Sequence, residues 1–148
     1  MDFSLRNEEI FNDPKIIVRQ TADCLIATFD DQKFITRHST HIIRKQKNNL
    51  SLKYVLGLLN SKLLSFYYRL IVSETGKTFA EVKIVNLTRL PIVIKDQNDL
   101  VTKVDNILAV KKSNPKADAT DLEHEIDQLV YKLYSLTPEE IKIVEGKQ

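Results

Sequence analysis

The stretch LSLKYVLGLLNSKLLSFYYRLIV, residues 50–72, constrains the fold more than any other part of the chain. It is apolar on nearly every side, yet it contains Asn60, Ser61, Lys62 and Arg69. A membrane-spanning helix needs about 20 mostly apolar residues, and a Lys or Arg near its centre is costly. The stretch therefore predicts a central helix of a soluble domain, buried on two faces.

The spacing of the apolar residues supports this interpretation. Ser51 is a good N-cap residue. At 100° per residue, one broad stripe contains Leu52, Val55, Leu56, Leu59, Leu63, Phe66, Tyr67 and Leu70. A second apolar set lies largely opposite and contains Tyr54, Gly57, Leu58, Leu64 and Tyr68. We expect one face to pack on a sheet and the other on further helices.

Short segments rich in β-branched residues precede this helix. Residues 15–20, 24–29, 33–36 (KFIT) and 40–45 are predicted to form a small antiparallel meander. Two more short strands are predicted after the helix, at VKIVNL (82–87) and PIVI (91–94). The fold class predicted is α+β, with a small antiparallel sheet, a central buried helix and C-terminal helices.

Helical patterns close the chain. One helix is predicted at about 98–112 and a second at 118–136, where apolar residues follow a coiled-coil-like spacing. At TPEE, Thr137 and Glu140 predict a capping box, with Pro138 in the first helical position. We expect residues 1–95, the sheet and central helix, and residues 96–148, the helical segment, to form one compact domain.

Length and cysteine content narrow the class of protein. The 148 residues suffice for one domain with a real core. Cys24 is the single cysteine, so neither an intrachain disulfide nor a cysteine zinc cluster can form. Residues 1–20 do not resemble a signal peptide. A cytoplasmic protein without a membrane partner is the expectation.

Charge is distributed unevenly along the chain. Residues 1–95 carry a net charge of +6 and residues 96–148 a net charge of −4. Residues 32–73 contain eight basic residues and no acidic one. Such asymmetry favours a polyanionic partner on one side of the molecule, although a solvated surface would have the same composition.

Catalytic motifs are largely missing. The three glycines are isolated, so no phosphate-binding loop or dinucleotide fingerprint occurs. His124-Glu125 lacks the second histidine of a zinc-protease helix, and His38 and His41 fall on opposite faces of a strand. Glu81-Val82-Lys83 matches half of a nuclease signature without its upstream aspartate. We therefore expect no catalytic residue and no metal site in this chain.

What remains is a basic surface with hydrogen-bonding side chains. Arg and Lys can contact base edges or phosphates, and Ser, Thr and His can donate to phosphates. The candidate DNA-binding residues are Arg19, Lys33, Arg37, His38, Ser39, His41, Arg44, Lys45, Lys47, Lys77, Thr78 and Lys83.

Four segments, in this order, resemble a known family: PKIIVRQTADCLIATFD, LKYVLGLLNSKLLSFYYR, FAEVKIVNLTRLPI and LEHEIDQLVYKLYSLTPEEI. They are similar to the C-terminal specificity domain of TaqI-like adenine DNA methyltransferases, which include the fused type IIG restriction–modification enzymes. The resemblance covers roughly residues 14–143. The same scheme is similar to the target-recognition domains of type I specificity subunits.

The resemblance implies a role without catalysis. The methyltransferase motifs of the family are absent, since Asn-Pro occurs only at Asn114-Pro115 and is followed by Lys-Ala. The chain would read the site on double-stranded DNA. A methyltransferase domain of the parent protein would bind S-adenosylmethionine and methylate the flipped adenine. No cofactor is expected in the chain itself.

Two interpretations from other classes stay open. The 118–136 helix could dock on a protein partner, with the basic face incidental. The chain could also be a small hydrolase with a dispersed active site.

Overall fold

The computed structural model describes residues 7–45, 49–72 and 81–147. Within these ranges the elements are α1 (Glu9–Asn12), β1 (Lys15–Arg19), β2 (Ala27–Asp30), β3 (Thr40–Arg44), α2 (Leu52–Asn60), α3 (Lys62–Ile71), α4 (Ile84–Leu87), α5 (Asn98–Ser113), α6 (Thr120–Leu133) and α7 (Pro138–Val144). A small antiparallel sheet with helices beside it confirms the predicted α+β class.

The sheet has the order β2-β1-β3, with both neighbours antiparallel to β1. The predicted meander is therefore wrong, because β3 pairs with the far edge of β1 rather than with β2. The predicted strand KFIT is also wrong. The Asp30 carboxylate accepts hydrogen bonds from the backbone amides of Gln32 (2.9 Å) and Phe34 (3.0 Å), and Lys33 has a φ of 60°. This turn geometry prevents residues 33–36 from joining a ladder.

The predicted central helix is interrupted at Ser61. This residue has an extended ψ of 153°, and its backbone amide and hydroxyl both donate to the Leu58 carbonyl. Its Oγ then accepts a hydrogen bond from the Leu64 amide at 3.3 Å, so Ser61 is the N-cap of α3. The stretch forms two helices, α2 and α3, instead of one.

The residues beside Ser61 connect these helices to other elements. The Asn60 carboxamide accepts from the Ala27 amide (3.0 Å) and donates to the Ala27 carbonyl (2.9 Å). The Lys62 amide donates to Asp127 at 2.8 Å, and the Lys62 ammonium lies 3.7 Å from the same carboxylate. Asn60 and Lys62, two of the polar residues that argue against a membrane helix, therefore connect the helices to β2 and α6.

Burial on two faces is confirmed, but the interruption changes which residues are most buried. Tyr54, Leu58, Leu64 and Tyr68, from the second apolar set, are at most 1% exposed. Leu70, from the predicted main stripe, is 67% exposed. The core extends from β1 through both helices to α5 and α6.

Helix α5 packs against both α2 and α6. A Cβ placed on Gly57 would lie 3.0 Å from a methyl carbon of Val104 and 3.1 Å from Leu100. The absence of a side chain therefore allows α2 and α5 to approach closely. Ile126 and Val130 of α6 belong to the same core.

The segment after residue 81 differs from its prediction. Residues 84–87 form the short helix α4 instead of continuing as a strand. Residues 91–94 belong to no strand, because tyrosine side chains satisfy their backbone groups. The Tyr54 hydroxyl donates to the Val93 carbonyl at 2.7 Å, and the Tyr134 hydroxyl donates to the Pro91 carbonyl.

The last helix, α7, begins at the residue that the sequence predicts, directly after Thr137. Thr137 Oγ1 accepts from the Glu140 amide, and the Glu140 carboxylate accepts from the Thr137 amide, so the predicted capping box is confirmed. Across the described ranges, every helix is too short or too polar to cross a membrane.

Candidate nucleic-acid interface

The first group of candidate residues lies at one end of the sheet, here called the Arg19 end. Arg19 pairs with Thr40 in the β1–β3 ladder, and the Gln20 amide donates to the Ser39 carbonyl at 3.0 Å. The Thr40 hydroxyl donates to the Arg37 carbonyl at 3.1 Å, within a turn that also contains His38. Strand pairing and this turn therefore bring Arg19, Arg37, His38 and Ser39 together.

The segment that precedes α4 joins the same end. The Val82 amide donates to the Gln20 carbonyl at 2.7 Å, and Glu81 forms an isolated β-bridge with Thr21. This contact places Lys83, which is exposed, beside the Arg19 end.

His41 takes part in the same junction. It is half-buried, and its Nε2 lies 2.5 Å from the Val82 carbonyl oxygen. Because a carbonyl only accepts hydrogen bonds, Nε2 must carry the proton. That ring nitrogen is therefore used inside the chain, and Nδ1 is the acceptor nitrogen of this tautomer.

The second group lies at the opposite end of the strands, here called the Arg44 end. Arg44 and Asp30 both pair with Lys15, from either side of β1. Lys45 follows Arg44 directly, and Lys33 belongs to the turn held by Asp30. Four residues of strand, at about 3.3 Å each, separate the two ends by roughly 13 Å.

A buried ion pair supports the Arg44 end. The Lys15 ammonium contacts the Asp30 carboxylate and donates to the Phe11 carbonyl at 3.1 Å. Lys15 is fully buried, and Asp30 is 4% exposed. Burial alone would raise the pKa of Asp30, but the Lys15 hydrogen bond and the amides of Gln32 and Phe34 outweigh it and lower that pKa. The carboxylate therefore stays ionised and holds the turn.

Four exposed cations beside the sheet form no ion pair among the described residues. They are Lys33, Arg37, Arg44 and Lys45. An exposed cation without a countercharge can neutralise a phosphate at no internal cost. The candidate residues Lys47, Lys77 and Thr78 lie outside the described residues.

Sequence reasoning missed two side chains in this region. Phe34 is 65% exposed and Ile35 is 76% exposed, both in the connection between β2 and β3. The alternation in KFIT predicted a strand that would have buried one of them. The sequence signal for their exposure is the pair Asp30-Asp31 directly upstream, because aspartates favour a turn instead of a strand.

The placement of His, Cys, Asp and Glu side chains bears on a possible metal site. In the part of the chain that the structure describes, no three His, Cys, Asp or Glu side chains are grouped as metal ligands. Glu81, half of the possible nuclease signature, is exposed and contributes its backbone to the bridge with Thr21. The arrangement presents cations and hydrogen-bond donors from the two ends of a hydrogen-bonded sheet, which suits binding.

Comparison with known proteins gives the family. The family model of the TaqI-like C-terminal specificity domain matches residues 3–92, which include the sheet, α2, α3 and α4. A Methanocaldococcus jannaschii protein, named as a putative type II restriction enzyme and methyltransferase, is 27% identical in a match that covers 95% of this chain. The match covers 13% of that relative, so the chain spans a small part of its length. The chain belongs to the family of TaqI-like C-terminal specificity domains.

Proposed function

We propose that this chain recognises a specific sequence in double-stranded DNA, as the non-catalytic recognition domain of a restriction–modification adenine methyltransferase. Membership of the specificity-domain family supports recognition as the role. The name of the M. jannaschii relative supports a restriction–modification context, and a type IIG enzyme is the class that carries both activities in one polypeptide.

One observation carries the proposal: Lys33, Arg37, Arg44 and Lys45 beside the sheet are exposed and form no ion pair with any described residue. Lys53 and Lys62 on the helices, in contrast, pair with Asp105 and Asp127. Arg37 and Arg44 at the sheet are exposed, so their guanidinium groups can reach phosphates or base edges.

The chemistry belongs to another part of the parent protein. We propose that a methyltransferase domain binds S-adenosylmethionine and acts on an adenine that this domain positions. The parent would work in the cytoplasm, where its DNA substrate lies. A partner domain also fits the small share of the relative that this chain covers.

The alternative of a docking helix has less support. Ile126 and Val130 of α6 are buried in the core of the chain, and Leu129 and Leu133 pack against that core. The apolar face that would bind a partner is therefore largely occupied by the chain itself. The lysine of the Lys103–Glu125 pair also engages α6 from α5.

Duplex binding tests the proposal. The chain, and the full-length protein that carries it, should bind duplex DNA with an affinity that falls steeply as salt rises. A selection from random duplexes should return one preferred site. Arg37→Gln should relax the preference by about 1–3 kcal/mol on that site if the guanidinium contacts a base. Lys53→Gln, which removes a cation already paired with Asp105, is the matched control.

Two outcomes would contradict the proposal. The first is the absence of salt-dependent duplex binding in both contexts. The second is transfer of labelled methyl groups from S-adenosylmethionine to DNA by the 148-residue chain alone, which would make the chain catalytic.

A further inference from the structure

The connection between β2 and β3 presents two large apolar side chains to solvent. Phe34 is 65% exposed and Ile35 is 76% exposed, although an exposed phenylalanine beside an exposed isoleucine gains nothing from the fold. Isolated exposed apolar residues are ordinary, whereas a contiguous apolar patch on the surface is typical of an interaction site.

The backbone that carries this pair is held in place. The Phe34 amide donates to Asp30 Oδ2 at 3.0 Å, and the Gln32 amide donates to Asp30 Oδ1 at 2.9 Å. Asp30 in turn contacts Lys15, which is fully buried. A side chain displayed on such a support loses little conformational freedom when it binds, so the display is preorganised.

Two exposed cations flank the pair along the chain. Lys33 precedes it and Arg37 follows it, and both are exposed without an ion pair among the described residues. After Asp31 the sequence contains no acidic residue before Glu74. An apolar tip between cations matches a duplex, whose stacked bases are apolar and whose flanking phosphates are anionic.

We propose that Phe34 and Ile35 form an apolar wedge that enters the duplex at a base step of the recognised sequence. This inference rests on the proposed function and assigns a reading mode to it. The wedge unstacks one step, and Lys33 and Arg37 hold the phosphates on either side. Sequence preference then comes in part from how easily that step deforms, in addition to direct contacts with base edges.

The test uses the chain and the full-length protein that carries it. Phe34→Ala and Ile35→Ala should each weaken binding to the preferred duplex by on the order of tenfold. The slope of log affinity against log salt should stay unchanged, because no phosphate contact is lost. Phe34→Leu, which keeps an apolar side chain, should retain most of the affinity.

A fluorescent base analogue reports the deformation directly. 2-Aminopurine is placed at successive steps of the preferred site. Binding of the unsubstituted protein should raise its fluorescence at one step, and Phe34→Ala should abolish that rise. Ile143→Ala is the matched control, since Ile143 is 62% exposed on α7. It should change neither affinity nor fluorescence.

The outcomes separate the wedge from the proposed function. If neither the unsubstituted chain nor the unsubstituted full-length protein binds duplex DNA, the proposed function is wrong and the wedge with it. Duplex binding that Phe34→Ala and Ile35→Ala leave unchanged overturns the wedge alone. If the variants instead lower the melting temperature of the full-length protein and leave the fluorescence rise intact, the pair covers a face of another domain, and the wedge is wrong.

Discussion

Lys53 and Lys62 on the helices differ from Arg44 and Lys45 at the end of the sheet in where their countercharges lie. Lys53 of α2 pairs with Asp105 of α5 and also lies over the Phe29 ring, 5.3 Å from its centre. Lys62 of α3 pairs with Asp127 of α6. Arg44 and Lys45, by contrast, are exposed and form no ion pair in the described part of the chain.

This difference teaches that charge asymmetry along a sequence overstates the charge available to a partner. The acidic C-terminal helices neutralise some of the basic helix residues within the fold. At the sheet, Lys15 already occupies Asp30, and Arg44 and Lys45 form no ion pair with any described residue. Four comparisons of matched variants test this division.

The largest expected effect concerns the buried ion pair between Lys15 and Asp30. Asp30→Ala would leave the Lys15 ammonium uncompensated inside the protein and should lower the free energy of unfolding by about 3–5 kcal/mol. Asp105→Ala breaks a partly exposed pair and should cost at most about 1 kcal/mol. Urea unfolding followed by circular dichroism measures both, and equal losses would show that Lys15 is not desolvated.

The helical side should be more sensitive to truncation than the sheet-side turn. Leu58 is fully buried in α2, so Leu58→Ala should lower the free energy of unfolding by about 2–5 kcal/mol. Ile35 is 76% exposed, so Ile35→Ala should change it by less than about 0.5 kcal/mol. Thermal melts of the two variants provide the measurement. A similar shift for both would mean that residues 31–39 pack against the core.

The two buried aspartates should respond to acid with opposite signs. The pKa of Asp30 is lowered, so its contribution to stability is present above the ordinary carboxyl value of 3.8 and is lost as pH falls through a lower value. Burial raises the pKa of Asp127, against the opposing effect of the Lys62 amide and ammonium. Its contribution is therefore present below 3.8 and is lost as pH rises through its higher value.

Stability measured against pH separates these effects. Asp30→Asn should flatten the loss of stability below pH 3.8, and Asp127→Asn should flatten a change of the opposite sign above it. Denaturant midpoints collected at closely spaced pH values supply the data. The expectation is wrong if Asp30→Asn and Asp127→Asn both change the stability only below pH 3.8, or both only above it.

The smallest effect separates a free cation from a paired one. Lys45→Gln should reduce the slope of log affinity for duplex DNA against log salt by about 1, if its ammonium neutralises one phosphate. Lys53→Gln should leave the slope unchanged, because its ammonium is already paired with Asp105. Neither variant should change the melting temperature by more than a few degrees. A larger change for Lys53→Gln would move the interface to the helical side.

Local signals in the sequence predicted a good part of the fold. The capping box at Thr137 depends on residues three positions apart, and burial of the helical stretch on two faces depends on its composition. The interruption at Ser61 could not be predicted in this way. It is stabilised by Asp127, 65 positions after Lys62 in sequence, and by the contact of Asn60 with Ala27.

Side-chain hydrogen bonds also explain two of the three predicted strands that were wrong, one through the nearby Asp30 and one through distant tyrosines. The Asp30 carboxylate takes the amide that a strand at residues 33–36 would have used, and two tyrosine hydroxyls serve the backbone of residues 91–94. For the candidate site, the sequence predicted a basic sheet region. It did not predict the separation into an Arg19 end and an Arg44 end, which follows from strand register. The DNA contacts themselves stay a prediction.

The contact between Asn60 and Ala27 has a consequence for association between molecules. A carboxamide carries the same donor and acceptor as a peptide group, and here it satisfies both outward-facing backbone groups of Ala27. β2 is an edge strand, and an edge with unpaired groups invites a strand from another molecule. Asn60 substitutes for one residue of that missing strand and shortens the edge available to it. A side chain on a helix thereby protects the sheet against intermolecular pairing.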